Sequence, residues 1–174
     1  MDDQGYRRAN AKPQPARSAK LAFRELELAT LAEAVPEGPN WVHEIKFDGY
    51  RTLAVIDAGQ VVLYSRSGLD WTSKYQDIAD RLKALKVDNA ILDGEIVALN
   101  EHGASSFSRL KTELSAGRSD ELQYYVFDLL VLNGQDISGQ ALLERKALLE
   151  PLLKSQDFEN HIIFSEHFAE NANF

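Results

Sequence analysis

The sequence predicts an α+β domain, with largely antiparallel β-sheets flanked by helices, and three observations carry that reading. Apolar β-rich runs are joined by tight turns, as where Leu53-Ala54-Val55-Ile56 leads through Asp57-Ala58-Gly59-Gln60 into Val61 to Ser65. Hairpin links of this kind make antiparallel neighbours. Helix-spaced apolar stripes interrupt the runs irregularly, without the strict one-for-one alternation that parallel sheets require. The chain also has the composition of one ordinary globular core, with 174 residues, 44% of them hydrophobic and 26% charged.

Residues 1–20 read as a disordered basic tail or linker. They hold Arg7, Arg8, Lys12, Arg17 and Lys20 against two aspartates, a net of +3 that leaves −11 on the rest of a chain whose total is −8. Such a tail suits a DNA-touching arm, a join to an upstream domain, or a solvated terminus. Residues 21–174 are expected to form the folded domain. Leu21, Leu28 and Leu31 have helical spacing, and Pro36-Glu37-Gly38-Pro39 closes that helix as a loop. A strand from Trp41 to Lys46 follows, with Val42, Glu44 and Lys46 on one face.

After the first hairpin, Ser73 and Gln76 read as a capping box before a helix whose stripe is Ile78, Leu82 and Leu85. The strand from Ala90 to Leu99 turns at Asn100-Glu101-His102-Gly103, and Phe107, Leu110 and Leu114 mark a short helix. The strand from Leu122 to Leu132 ends at Asn133-Gly134, a strong hairpin signal. Leu142, Leu149 and Leu153 describe a further helix, which Pro151 should kink or restart, and Ile162-Ile163-Phe164 reads as one more strand.

Chemistry concentrates in Glu44-Ile45-Lys46-Phe47-Asp48-Gly49-Tyr50-Arg51. A lysine at a strand end can act as a nucleophile. Gly49 permits a sharp turn that returns the Arg51 guanidinium toward Lys46, and paired cations suit a phosphate. Lys-x-Asp-Gly-x-Arg should arise by chance at roughly one position in 10⁵, which outweighs the bland reading of a solvated surface lysine. The same order continues with Ser65-Arg66-Ser67-Gly68, Leu92-Asp93-Gly94-Glu95-Ile96-Val97 and Tyr125-Val126-Phe127-Asp128-Leu129-Leu130.

On these motifs, from about Leu26 to the chain's end, the sequence resembles the covalent nucleotidyltransferases, and within them the ATP-dependent DNA ligases of the bacterial end-joining type. The resemblance implies a nucleotidyltransferase (adenylation-domain) fold and a neutral Lys46 amine that attacks the α-phosphate of ATP. Lysyl-AMP then serves a 5′-phosphate at a nick in DNA. It implies that Phe127 stacks on adenine, with Tyr124 and Tyr125 left as core and Asp128 facing away as a structural acceptor. Glu95 would contact ribose hydroxyls or a Mg²⁺ or Mn²⁺ ion, and Arg66 the sugar or phosphates. Arg51 and the metal would lower the lysine's pKa. Glu44, two positions before the lysine, would accept from the exocyclic amine of adenine and repel guanine, and Ile45 would line the same nucleotide pocket. The implied partners are nicked or broken double-stranded DNA, a small C-terminal barrel domain, other repair domains and a DNA-end-binding protein.

The family's later Glu-Gly-x-x-x-Lys element, its next lysine-bearing strand and its barrel do not follow Phe127, and no glycine follows Gly139. The expectation is an incomplete adenylation domain that cannot by itself seal a nick, with an acidic body that grips DNA weakly. Two alternatives stand beside the ligase: an RNA ligase or capping-type nucleotidyltransferase, and a non-catalytic module that binds nucleotide or partner. No cysteine is present, which excludes disulfides and thiolate metal sites. His43, His102, His161 and His167 lack metal-ligand spacing and take no catalytic role. With no signal peptide and no apolar run near the ~20 residues of a membrane span, the expected setting is bacterial cytoplasm, at the nucleoid.

Overall fold

A computed structural model describes residues 22–28, 30, 38 and 41–168. The basic residues of the tail, and all of the Pro36–Pro39 loop except Gly38, lie outside them.

The β-rich runs assemble as the hairpin signals require. Strands β2 (Tyr50–Asp57), β3 (Gln60–Ser65), β4 (Asn89–Val97), β5 (Gln123–Leu132) and β6 (Gln135–Asp136) form an antiparallel sheet in the order β3-β2-β4-β5-β6. Strand β7 (Ile162–Phe164) lies parallel to β5. The turns at Ala58-Gly59 and Asn133-Gly134 have positive φ at both positions, which is the geometry that suits a right-twisted two-residue hairpin. A separate pair joins β1 (His43–Glu44) to β8 (His167–Phe168).

Period-two alternation divides the sheet into two faces. On one, Ala54, Ile56, Leu92, Ile96, Tyr124 and Leu129 meet helices α1 (Gln76–Leu82), α2 (Phe107–Ala116) and α3 (Leu142–Lys154) through Ile78, Leu82, Leu110, Leu149 and Leu153, all buried. On the other, Leu53, Val55, Ile91 and Val131 form a smaller cluster against Phe23, Leu26, Tyr64 and Leu130. Arg51, Asp93 and Glu95 continue that second face by spacing of two.

Several local expectations change. The described part of the segment 21–31 forms no helix. It runs as a strap over the second face, where Phe23 packs against Tyr64 and Arg24 pairs with Asp136 at 3.1 Å; burial of Phe23 and Leu26 there outweighs helical spacing. The strand expected over Trp41–Lys46 shrinks to His43–Glu44, so alternation does not govern Lys46. Ser73 is no cap, because it lies inside a 3₁₀ turn (Thr72–Tyr75), entered through an Asp70 side chain that accepts from the Thr72 amide at 2.9 Å. Helix α3 runs unbroken through Pro151, since buried Leu149 and Leu153 hold it on either side while the proline is exposed.

Strand β5 departs most from simple alternation. Its pairing with β4 slips twice, with Asp93 opposite Asp128 and Gly94 opposite Val126, and again with Ile91 opposite Val131 and Leu92 opposite Leu129. Phe127 and Leu130 are thereby left as the extra residues of β-bulges. Simple alternation would put Tyr125, Phe127 and Leu129 on one face, and the bulges break it. Leu129 enters the helix-covered core, while Phe127 and Asp128 both open on the second face. Tyr124 is core, as expected. Tyr125 is instead half-buried, stacked on Phe47 with ring centroids 4.1 Å apart.

Among the described residues no helix is long and apolar enough to cross a membrane.

Candidate functional site

Past the smaller core cluster, the second face opens into a cavity of about 810 Å³. Its walls include Glu44, Ile45, Lys46, Arg51, Asp93, Glu95, Phe127, Asp128 and Arg145, with the strap residues Arg24, Glu25, Glu27 and Leu28 along one side. Six of the seven residues singled out from the sequence therefore meet at one cavity. The seventh, Arg66, is exposed on an adjoining hollow that shares Leu28, Arg51 and Glu95 with the first.

Lys46 lies on the irregular stretch between β1 and β2 and is exposed at the cavity rim. Its position is set by its neighbours. Before it, Glu44 pairs with His167 across the β1–β8 ladder. After it, Phe47 stacks on Tyr125, and Asp48 binds the entry to α2, its amide donating to Ser105 Oγ at 3.0 Å and its carboxylate accepting from the Phe107 amide at 3.4 Å. Gly49 is required by close approach: a Cβ there would lie 2.1 Å from the Ile96 carbonyl oxygen of β4.

Arg51 is not the free cation expected beside the lysine. Its guanidinium makes a bidentate pair with buried Asp93, both contacts 2.7 Å, and lies over the Phe127 ring at 4.7 Å from its centroid. The Asp93 contact raises the pKa of Arg51 and keeps it charged. Its chief structural task is to hold β2, β4 and the Phe127 ring in one arrangement, with its charge largely answered by Asp93. Phe127, an extra residue at a bulge, has one face on Arg51 and stands in the cavity wall. Asp128 receives a matching bidentate pair from Arg145 of α3, at 2.8 and 2.7 Å. Its structural role stands, but the bulge turns it toward the cavity rather than away from Phe127.

Among the described residues Glu95 has no such bidentate partner. Burial pushes its carboxyl up to about 7, against the pull of Arg51, the Gly49 amide and Lys46, with Asp93 adding a further upward push. The group is thus poised to take a hydroxyl donor or a cation. Among the described residues no group of three or more His, Cys, Asp and Glu could hold a metal ion.

Glu44 also differs from expectation. Its carboxylate is engaged by Lys146 of α3, whose ammonium binds the Phe127 and Ser165 carbonyls at 3.1 and 2.9 Å as well. Sequence reasoning passed over Arg145 and Lys146, and over Asp93 within a motif it had quoted. A signal existed: positions 145 and 146 lie three and four residues from both Leu142 and Leu149, on the buried stripe of an otherwise apolar helix face.

The chain resembles known proteins along most of its length. The model of the ATP dependent DNA ligase domain matches residues 14–172. The multifunctional non-homologous end joining protein LigD of Pseudomonas aeruginosa is 40% identical over 145 residues, which are 83% of this chain and 17% of that protein. The bifunctional LigD of Bacillus subtilis is 31% identical over 139 residues, covering 72% of this chain and 23% of that one. Among solved structures, the ligase domain from M. tuberculosis LigD superposes with a TM-score of 0.62 at 34% identity, over 73% of this chain and 40% of that one. A mycobacterial DNA ligase D complexed with ATP and MES gives 0.59 at 33%, over 72% and 39%. The chain thus spans under a quarter of the length of these two curated relatives.

Proposed function

The chain belongs to the family of ATP-dependent DNA ligase domains, and from that membership we propose that its cavity is an adenylation site with Lys46 as the nucleophile. The observation that carries the proposal is the convergence of an exposed lysine, an aromatic ring backed by a cation, and a carboxylate at about 7 on one cavity. ATP fits this set. The free face of Phe127 offers a stacking platform for adenine, Glu95 offers an acceptor for ribose hydroxyls, and Lys46 stands at the rim, where the phosphates reach solvent.

In this scheme the neutral amine of Lys46 attacks the α-phosphorus. A P–N bond forms, the bond to the β-phosphate oxygen breaks, and pyrophosphate leaves while the amine proton passes to solvent. The AMP group then moves to a 5′-phosphate at a DNA nick, and a 3′-hydroxyl displaces it. The main work of the protein is positioning and charge placement. Phe47, Asp48 and the β1–β8 ladder fix the lysine segment, and the Arg51–Asp93 pair fixes the ring. Arg66, in the adjoining hollow, would take phosphate or sugar.

A divalent ion, Mg²⁺ or Mn²⁺, fits the residues present, because such ions are commonly held by one or two carboxylates together with substrate phosphates. Glu95 would supply that carboxylate, and the ion would neutralise charge on the phosphates. Nicked or broken duplex DNA, a barrel domain and an end-binding protein are the partners this reading implies, with use in the bacterial cytoplasm at the nucleoid.

Incubation with ATP and Mg²⁺ followed by intact-mass measurement and peptide mapping tests the assignment. The expected result is one AMP adduct, on Lys46, that disappears in Lys46→Ala. An adduct that survives the substitution refutes the nucleophile, and a chain that binds ATP without forming any adduct is a nucleotide-binding module instead.

A further inference from the structure

Lys146 is a buried cation that the scheme above leaves without a task. Its side chain is 1% exposed, although lysine is almost never fully buried unless paired. All three of its ammonium donors are spent, on the Glu44 carboxylate, the Phe127 carbonyl at 3.1 Å and the Ser165 carbonyl at 2.9 Å. These acceptors belong to the stretch leading to Lys46, the strand of the aromatic platform, and the stretch entering β8. Packing alone does not call for a charge here. Replacing a buried ion pair with apolar groups of similar volume is often neutral or stabilising, so the desolvation of Lys146 needs another reason.

The geometry at Glu44 supplies one. A single carboxylate oxygen, Oε1, meets Lys146, and among the described residues the other accepts no hydrogen bond. Glu44 lines the cavity, and its side chain remains 30% exposed. One oxygen is therefore anchored from behind while the other is left for a ligand.

We infer that Lys146 is a positioning residue for base selection: by holding one oxygen of Glu44 it presents the other to the base edge. There the oxygen accepts from the exocyclic amine of adenine and repels the carbonyl oxygen of guanine. The inference rests on the adenylation reading and adds the residue that makes the selection strict. A free glutamate can rotate away from guanine and escape the repulsion, whereas a glutamate tied to Lys146 cannot. Discrimination by an unpaired or repelled polar group depends on that group having nowhere else to go.

Calorimetric titration of the whole chain with ATP and with GTP tests this, on the parent and on Lys146→Met, whose flexible side chain fills the same slot without charge. The ratio of GTP to ATP dissociation constants should fall by on the order of tenfold or more, the scale at which single pocket contacts discriminate. Adding Glu44→Gln to Lys146→Met should change the ratio little further. A purely structural lysine would weaken both nucleotides alike, and an unchanged ratio in a folded Lys146→Met chain that still binds ATP overturns this inference alone. If circular dichroism shows Lys146→Met unfolded, Lys146→Gln, whose amide can still donate to the Phe127 and Ser165 carbonyls but carries no charge for Glu44, carries the test: a fallen ratio supports the inference and an unchanged one refutes it. A parent chain that binds neither nucleotide overturns the adenylation reading and this inference with it.

Discussion

Replacing Phe127 with alanine separates the packing of that ring on Arg51 from its proposed stacking on adenine. On the protein side the ring meets Arg51 at 4.7 Å, a contact worth about 0.5–2 kcal/mol depending on desolvation. The bidentate Arg51–Asp93 pair, with both contacts at 2.7 Å, does not depend on the ring and should survive. The bulge and the Lys146 contact use only the backbone of Phe127. A stability loss of about 1–2 kcal/mol follows, which at this chain length lowers Tm by several degrees without unfolding the domain. On the ligand side, loss of one aromatic–base stack costs about 1–3 kcal/mol, or roughly 5- to 150-fold in ATP affinity. Calorimetric titration beside thermal melts measures both. Inorganic tripolyphosphate serves as the control, since its binding needs no stacking platform and should be unaffected. ATP affinity unchanged within twofold, or an equal loss for tripolyphosphate, would show that Phe127 is packing and nothing more.

Two further substitutions probe the frame. At Gly94 a Cβ would lie 2.4 Å from the Tyr125 carbonyl oxygen and 2.5 Å from the Tyr124 ring, which cannot yield because its hydroxyl donates to the Thr52 and Leu92 carbonyls. Gly94→Ala should therefore cost about 3 kcal/mol, toward the upper end of overpacking, and a denaturant midpoint equal to the parent's would contradict the clash. Glu95 gives a pH test. Its folded carboxyl holds a proton up to about 7 against an ordinary 4.5, so between those values the folded state binds more protons and the group's contribution to stability declines as pH rises. Glu95→Gln should consequently gain stability relative to the parent at pH 8 compared with pH 5; urea melts showing the same difference at both pH values would exclude burial as the cause.

The hairpins and the helix stripes were legible in the sequence because local turn chemistry and periodicity decide them. The two-residue loops at Asn133-Gly134 and Ala58-Gly59 take positive φ at both positions, as tight hairpins require, and Ile78 and Leu82 bury as their spacing requires. The convergence of Lys46, Glu95 and Phe127 on one cavity followed from motif order. What went unread were mostly pairings with distant partners. The strap around Phe23 is extended because it packs on Tyr64, and the bulge at Phe127 arises from register slip against β4. Arg51 was read as a free cation because its partner Asp93 lies 42 positions away. Pairing across such distances leaves no local trace in residue order.

The anchoring of β1 on β8 also bears on when the site comes into being. Hairpins such as β2–β3 close over short loops and can form early, whereas Lys146 meets Glu44 across 102 positions of chain and β8 pairs with β1 from farther still. Contacts of such high order are entropically late. During vectorial synthesis the segment bearing Lys46 emerges before β5, α3 and β8, yet its last contacts wait for them. The Lys46 amine thus gains its orientation only after β5, α3 and β8 have been made, so that the lysine and the cavity walls around it mature together.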